Sequence, residues 1–238
     1  MANKKKVKAS GVEAVDYSVR TLRRQIVDGF HNPSQRISDL AVSEELTVSR
    51  TSVRESFQKL VTEGLLFIVP NRGAFVVEHS PEEVIELFEV REAIEVFAVR
   101  LAIEKASNDQ LLSLKEMLSV TRTSMIEHGG RYPVEVDFHK SICELTENKE
   151  LARTMELVNC KLKIARRQSG YIPERARAAY AEHKEILEAM IGRDIPRAEA
   201  LIRQHLANSR FSIQNSLKMK KTDQASSIKK SNKQPLSV

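Results

Sequence analysis

The sequence predicts a mainly α-helical protein in two parts: three helices closed by a small β-hairpin, then an antiparallel bundle of six or seven helices. Three observations carry this. Apolar residues recur at i, i+3, i+4 and i+7 over most of the chain. Alternating residues of strand type between turn signals are confined to one short stretch, 66–77. Tryptophan is absent, and glycine and proline number only 8 and 7 among 238 residues, so few positions break a helix.

The first helix is expected over residues 12–30, VEAVDYSVRTLRRQIVDGF. Val15, Val19, Leu22, Ile26 and Val27 form its apolar stripe, and Gly29 ends it. A shorter helix is expected in ISDLAVSEELTV (37–48), burying Leu40, Val42, Ser43 and Leu46. The third lies in VSRTSVRESFQKLVTEGLL (48–66). Ser49 is a good N-cap, Gly64 a good stop, and Val53, Phe57, Leu60 and Val61 take the i, i+4, i+7, i+8 positions of a buried stripe. Only Thr47 to Ser49 separate the second and third helices. Leu66, Ile68, the turn Asn71-Arg72-Gly73, Phe75 and Val77 then give two short strands. That order is a winged helix-turn-helix.

Arg50 and Arg54 stand four apart and share the exposed start of the third helix. A guanidinium there can donate two bonds to guanine O6 and N7, or clamp phosphates. Arg72, at the tip of the hairpin, can reach the backbone or a minor groove. A lone arginine pair is ordinarily a solvated face; the tight turn and the wing around this pair are what point to DNA.

Net charge is weaker testimony. The formal excess is +6, but Lys4, Lys5, Lys6 and Lys8 crowd the start, and Lys218, Lys220, Lys221, Lys229, Lys230 and Lys233 crowd the end. Both stretches, 1–10 and 218–238, are expected to be basic disordered tails, either solvated without a role or adding non-specific DNA affinity. No apolar run approaches a membrane span, and no signal peptide is evident. The only cysteines, Cys143 and Cys160, are too few for a disulfide framework, so a cytoplasmic home is expected.

From Ser80 the helices lengthen, placing the border between a domain at 11–78 and one at 80–217. Ser80-Pro81-Glu82-Glu83 is a capping-box start for a helix to about residue 107, whose apolar members include Val84, Leu87, Phe88, Ile94, Phe97, Ala98, Leu101 and Ala102. Helices follow over about 109–128, 133–146, 149–169, 174–191 and, after Asp194 and Pro196, to about Leu217.

Two stretches are similar to known families. SRTSVRES, LVTEGLL and NRGAFV, within residues 12–78, resemble the DNA-binding signature of the GntR superfamily. LFEVREAIEVFAVRLA (87–102), VDFHKSICELTENKEL (136–151), AEHKEILEAMIGRD (181–194) and AEALIRQHL (198–206) resemble the FCD ligand-binding domain of the FadR subfamily. The first resemblance implies operator contacts by Arg50 and Arg54 and by the wing tip Arg72-Gly73, with Ser49 and Thr51 at phosphates; Arg36 joins this set. Departures from that pattern are Thr47 and Ser34 where glycine is usual, Ser52 where proline is usual, and Ser56-Phe57 for alanine-leucine. A slightly strained turn is the expected consequence.

The second resemblance implies a metal held by a carboxylate four residues before a histidine and by two further histidines. Those roles fall on Glu135, His139, His183 and His205, with glutamate in place of the usual aspartate. Asp137, two residues from His139, is expected to point away. Such ligation suits a divalent ion: zinc first, with nickel, manganese or iron as alternatives. The resemblance further implies a small carboxylate effector joining the metal. Arg91 is its expected second anchor, against an i, i+4 ion pair with Glu95, and Asn148 is a further polar candidate. Cys143, four past His139, is expected to fill the core.

The expectation is therefore a homodimeric, effector-responsive regulator of transcription, a repressor by family habit, on a two-fold DNA operator. One rival is a metal-dependent helical enzyme with an accessory DNA-binding domain, though no nucleophile–base pair, phosphate loop or zinc-protease motif is present. The other is a constitutive DNA binder without effector.

Overall fold

The structure is a computed structural model and describes residues 11–129, 137–169 and 172–231. The chain divides into two compact units.

In the first unit, α1 (Val12–Asp28), β1 (Arg36–Ile37), α2 (Asp39–Leu46), α3 (Arg50–Thr62), β2 (Leu66–Val69) and β3 (Gly73–Val76) follow in order. Val15, Val19, Leu22 and Ile26 of α1 pack with Val42, Val53, Phe57, Leu60, Leu65, Leu66, Ala74 and Val76. Gly29 ends α1 in the left-handed conformation, as its position predicted. The sheet order is β1-β3-β2, all antiparallel, with Arg36 opposite Phe75 and Phe67 opposite Phe75 on the other side.

Strand β1 is a finding beyond the sequence reading, which had put Ile37 at the start of the second helix. Ile37 instead pairs with Ala74 and is buried, and Ser38 becomes the N-cap, accepting from the Ala41 amide. Leu40 is likewise corrected: it is exposed, because a helix that begins at Asp39 turns only Val42 fully inward.

Thr47 closes α2 in the left-handed conformation, φ 55° and ψ 43°. A β-branched residue is unfavourable there, and Ser43 Oγ bonds the Val48 carbonyl to hold the turn. Thr47→Gly is expected to raise unfolding stability by about 1 kcal/mol, the strain of a non-glycine residue in that region less the entropy glycine brings to the unfolded chain. A thermal melt checks this, and a lowered Tm would contradict it.

In the second unit, α4 (Pro81–Lys105) starts with the expected capping box. Helices α5 (Asn108–Glu127), α6 (Phe138–Leu145), α7 (Lys149–Ser169), α8 (Pro173–Ile191) and α9 (Ile195–Ser231) complete the chain. Val84, Phe88, Val99 and Ala102 of α4 are buried, as are Ile186, Leu187 and Met190 of α8 and Ala198, Ile202 and Leu206 of α9. Three expectations change. Phe97 is exposed, since the buried stripe of α4 runs through residues 84, 88, 91, 95, 99 and 102. Helix α9 continues past Leu217 to Ser231, through a lysine-rich stretch without glycine or proline that was expected to be a disordered tail. Residues 160–168 of α7 belong with the first unit, where Cys160 and Ile164, one turn apart, enter its core. Among the described residues no helix is long and apolar enough to cross a membrane.

Candidate functional site

The expected DNA-contacting residues of the first unit gather at the N-terminus of α3. Ser49 Oγ accepts from the Ser52 amide at 3.0 Å, which fixes the first turn. Proline at 52 would forfeit that bond. Ser49 Oγ also lies 2.9 Å from Ser52 Oγ, and Thr51 is exposed at the second helical position. Arg50 and Arg54 project outward on successive turns, with side chains 51% and 66% exposed, open enough for a groove.

Both converge on a residue that sequence reasoning passed over. Asp39, at the first position of α2, accepts from Arg50 Nη2 at 3.0 Å through each carboxylate oxygen, and from Arg54 Nε at 2.7 Å. Burial would raise its pKa, but these bonds and charges hold it below the usual carboxylate value. The residues lie eleven and fifteen apart across a turn, so no local spacing revealed the contact.

At the wing, Asn71 and Gly73 both take positive φ. The guanidinium of Arg72 lies 5.7 Å from the centre of the Phe75 ring. Arg36 reaches across to Gly73, where an added Cβ would meet Arg36 Nε at 3.4 Å. Glycine at 73 thus keeps the tip open and Arg36 close to it.

In the second unit, His139 (α6), His183 (α8) and His205 (α9) are all buried, and their ligand atoms lie within 4.8 Å of one another. His205 Nε2 is 3.2 Å from His139 Nε2 and 3.4 Å from His183 Nε2. Phe138 stacks on the His183 ring, centroids 4.5 Å apart.

Each outer nitrogen of His139 and His205 has a carboxylate as its nearest partner; Arg175 Nη2 lies farther from His205 Nδ1, at 3.2 Å. His139 Nδ1 meets Glu95 Oε2 at 2.5 Å, and His205 Nδ1 meets Glu182 Oε2 at 2.6 Å. Burial would raise both carboxylates, yet Arg91 and His139 hold Glu95 at about 2, and bonds from His205, Arg175 and Asn208 hold Glu182 at about 2. Ionised carboxylates only accept, so each imidazole donates from Nδ1. Burial pushes the His205 pKa down to about 3 and lowers that of His139, so both rings are neutral at pH 7 with bare Nε2 atoms. Two bare nitrogens 3.2 Å apart repel unless a cation lies between them. Nitrogens each ~2.0–2.1 Å from a tetrahedral zinc ion would lie about 3.3 Å apart. The donor set fits a divalent metal.

Beside it lies Arg91, fully buried. Its Nε donates to Glu95 Oε1, the ion pair weighed from the sequence, while Nη1 and Nη2 make no hydrogen bond among the described residues. The ion pair with Glu95 occupies one edge of the guanidinium and leaves the Nη edge without a hydrogen bond among the described residues.

Two expected ligands fare differently. Helix α6 begins at Phe138, because Asp137 is its N-cap and accepts from the Lys140 amide at 3.2 Å. Glu135, the expected carboxylate ligand, lies outside the described residues. Asp137 is engaged at this cap and by Asn159 Nδ2 at 3.4 Å. Asn148, the further polar candidate, has its Oδ1 accepting from the Leu151 amide at 3.1 Å, which caps α7. Cys143 is buried in the core, and burial pushes its thiol pKa up, away from ligand chemistry. Sequence reasoning missed Glu182 and Arg175. Their spacing of seven puts them on one face of α8, the only signal the chain offered.

Comparison with known proteins decides what these two sites belong to. Residues 19–76 match the family "Bacterial regulatory proteins, gntR family", and residues 86–208 match the FCD domain. The chain belongs to the gntR family of regulators, in its FCD-bearing branch. The Nta operon transcriptional regulator of Aminobacter aminovorans is 27% identical over 175 residues, covering 73% of this chain and 82% of that protein. The HTH-type transcriptional repressor RspR of Escherichia coli strain K12 is 27% identical over 189 residues, covering 79% and 83%. Among solved structures, E. coli McbR/YncC shares the fold with a TM-score of 0.74 at 20% identity, over 86% of this chain and 99% of that one. A putative GntR regulator from Rhodococcus sp. RHA1 gives 0.65 at 21%, over 84% and 97%.

This gntR-family chain is accordingly a DNA-binding transcriptional regulator and not an enzyme, which sets aside the metalloenzyme rival. Regulators of the family bind DNA and commonly act as dimers, and FCD domains often bind metal. The buried histidine trio is where this chain is equipped to do so.

Proposed function

We propose that this regulator reads a short two-fold operator in the cytoplasm as a homodimer, and that a small carboxylate bound in the FCD bundle sets its operator affinity. Arg50 and Arg54 face base edges, while Arg36, Ser49, Thr51, Arg72 and Gly73 hold the backbone and minor groove. His139, His183 and His205 hold a divalent metal, zinc first among zinc, nickel, manganese and iron.

The observation that carries the effector half is the pairing of the His139 and His205 Nε2 atoms, 3.2 Å apart, with a buried guanidinium whose Nη1 and Nη2 have no hydrogen-bond partner among the described residues. A bound divalent ion would supply a Lewis-acidic position for a carboxylate oxygen of the effector. Arg91 offers two parallel donors for a carboxylate, and leaving that charge unmatched in the core is costly. Glu95 and Glu182 keep the imidazoles in the ligating tautomer. The effector controls transcription only if it favours one arrangement of the dimer over another.

In the full chain, His183→Ala with His205→Ala is expected to reduce metal content to background and to abolish the change in operator affinity caused by a small carboxylic acid extracted from the wild-type protein and identified by mass spectrometry. Elemental analysis of the purified protein and an operator titration measure the two. Wild-type metal occupancy in the double variant would show that these ligands are misassigned.

A further inference from the structure

The recognition arginines are not loose. One carboxylate, Asp39, fastens both, and it does so on particular nitrogens. From Arg54 it takes Nε, at 2.7 Å; from Arg50 it takes Nη2, at 3.0 Å to each oxygen. Among the described residues, Arg54 Nη1 and Nη2 and Arg50 Nε and Nη1 make no hydrogen bond. A guanidinium gripped through Nε keeps its terminal pair of donors pointing away from the gripping carboxylate, and that pair suits the O6 and N7 acceptors of guanine. Asp39 itself is anchored, because it is the first residue of α2 behind the capping Ser38, where a negative charge is favoured. Its side chain is only 21% exposed, against 51% and 66% for the arginines it holds. The anchor is thus the more enclosed partner and the reading groups the more open ones.

We infer that Asp39 is a specificity-determining positioning residue: it fixes the Arg54 fork in the orientation that demands guanine, and it lowers affinity for unrelated duplex by setting a negative charge beside phosphates. This rests on the reading of Arg50 and Arg54 as base contacts. The two effects have opposite signs on affinity, which separates them from a merely structural role. A long arginine side chain freed from its buttress samples many rotamers and bonds phosphates and other bases nearly as well as guanine. Removing the carboxylate also removes a repulsion from the backbone, which strengthens sequence-independent binding.

The test uses the full-length protein as wild type, Asp39→Asn, Asp39→Glu and Arg54→Lys. A duplex is first selected by the wild type from a random library. Affinities are then measured for that duplex, for copies with each half-site guanine replaced in turn, and for a scrambled duplex of equal length, at one fixed salt concentration. Asp39→Asn is expected to cut discrimination at one guanine per half-site by about ten-fold, within the range for a single bidentate base contact. Its binding to the scrambled duplex tightens at the same time. Asp39→Glu restores part of the discrimination, and Arg54→Lys loses preference at the same guanine.

Four results would overturn the inference. Unchanged guanine preference, with specific and scrambled binding rising together, reduces Asp39 to a bare charge. Tighter specific binding with better discrimination makes it an inhibitory latch. Loss of binding to every duplex, with a collapsed circular-dichroism spectrum, makes it a folding residue. If the wild type selects no sequence at all, the reading of the arginines as base contacts fails first and the inference falls with it.

Discussion

Replacing Arg54 with alanine is expected to remove most sequence-specific DNA binding while the fold stays intact. The side chain is 66% exposed and, among the described residues, its one hydrogen bond is to Asp39. An exposed ion pair of this kind contributes about 0.2–1 kcal/mol, so the melt should move little. The binding loss is much larger. A bidentate arginine–guanine contact is worth about 1–3 kcal/mol of discrimination, and a dimer on a two-fold operator loses it twice. Competition between the selected duplex and a scrambled one measures the loss. If Arg54→Ala retains the wild-type preference, the residue does not read bases, whatever its position suggests.

Glu95→Ala is expected to be the most damaging single change in the helical bundle. Glu95 stands between two groups that depend on it. It accepts from Arg91 Nε, and it fixes the His139 tautomer through Nδ1 at 2.5 Å. Both neighbours are buried, and among the described residues no other carboxylate bonds either of them. Breaking a buried pair by deleting one partner costs about 3–5 kcal/mol, because the remaining charge is stranded. For a protein of this size that amounts to a Tm lowered by roughly 10 °C. The surviving folded fraction should also bind metal about 10- to 100-fold more weakly, since the orienting carboxylate is gone. Calorimetry and metal titration of the purified variant read the two effects separately. A melt and a metal affinity equal to the wild type would show that Arg91 and His139 find other partners.

The fold was legible where chemistry is local. Ser49, Ser80 and Gly29 mark helix ends through bonds and conformations formed within a few residues, and each does so in the structure. Helical spacing in α1 and α3 named their large buried apolar residues, but not the small ones beside them, Ala14, Ser18, Ser52 and Ser56. Errors arose where a local signal met a tertiary demand. Ile37 has the composition of a helix start, but pairing with Ala74 takes it into the sheet. Asp137 reads as one more helical residue, until its side chain caps Lys140 and moves the start of α6.

For the candidate sites, the sequence by itself determined the ingredients: two arginines on one helical face and histidines on three separate helices. Periodicity specifies which side of a helix a residue occupies, and this much follows from the chain alone. Only the tertiary structure decided how those ingredients meet. Asp39 reaches Arg50 and Arg54 across the turn, Glu182 of α8 reaches His205 of α9, and Glu95 of α4 reaches His139 of α6. Such contacts depend on how helices pack and on which rotamers remain inside, and both are set by the whole core rather than by residues near in sequence.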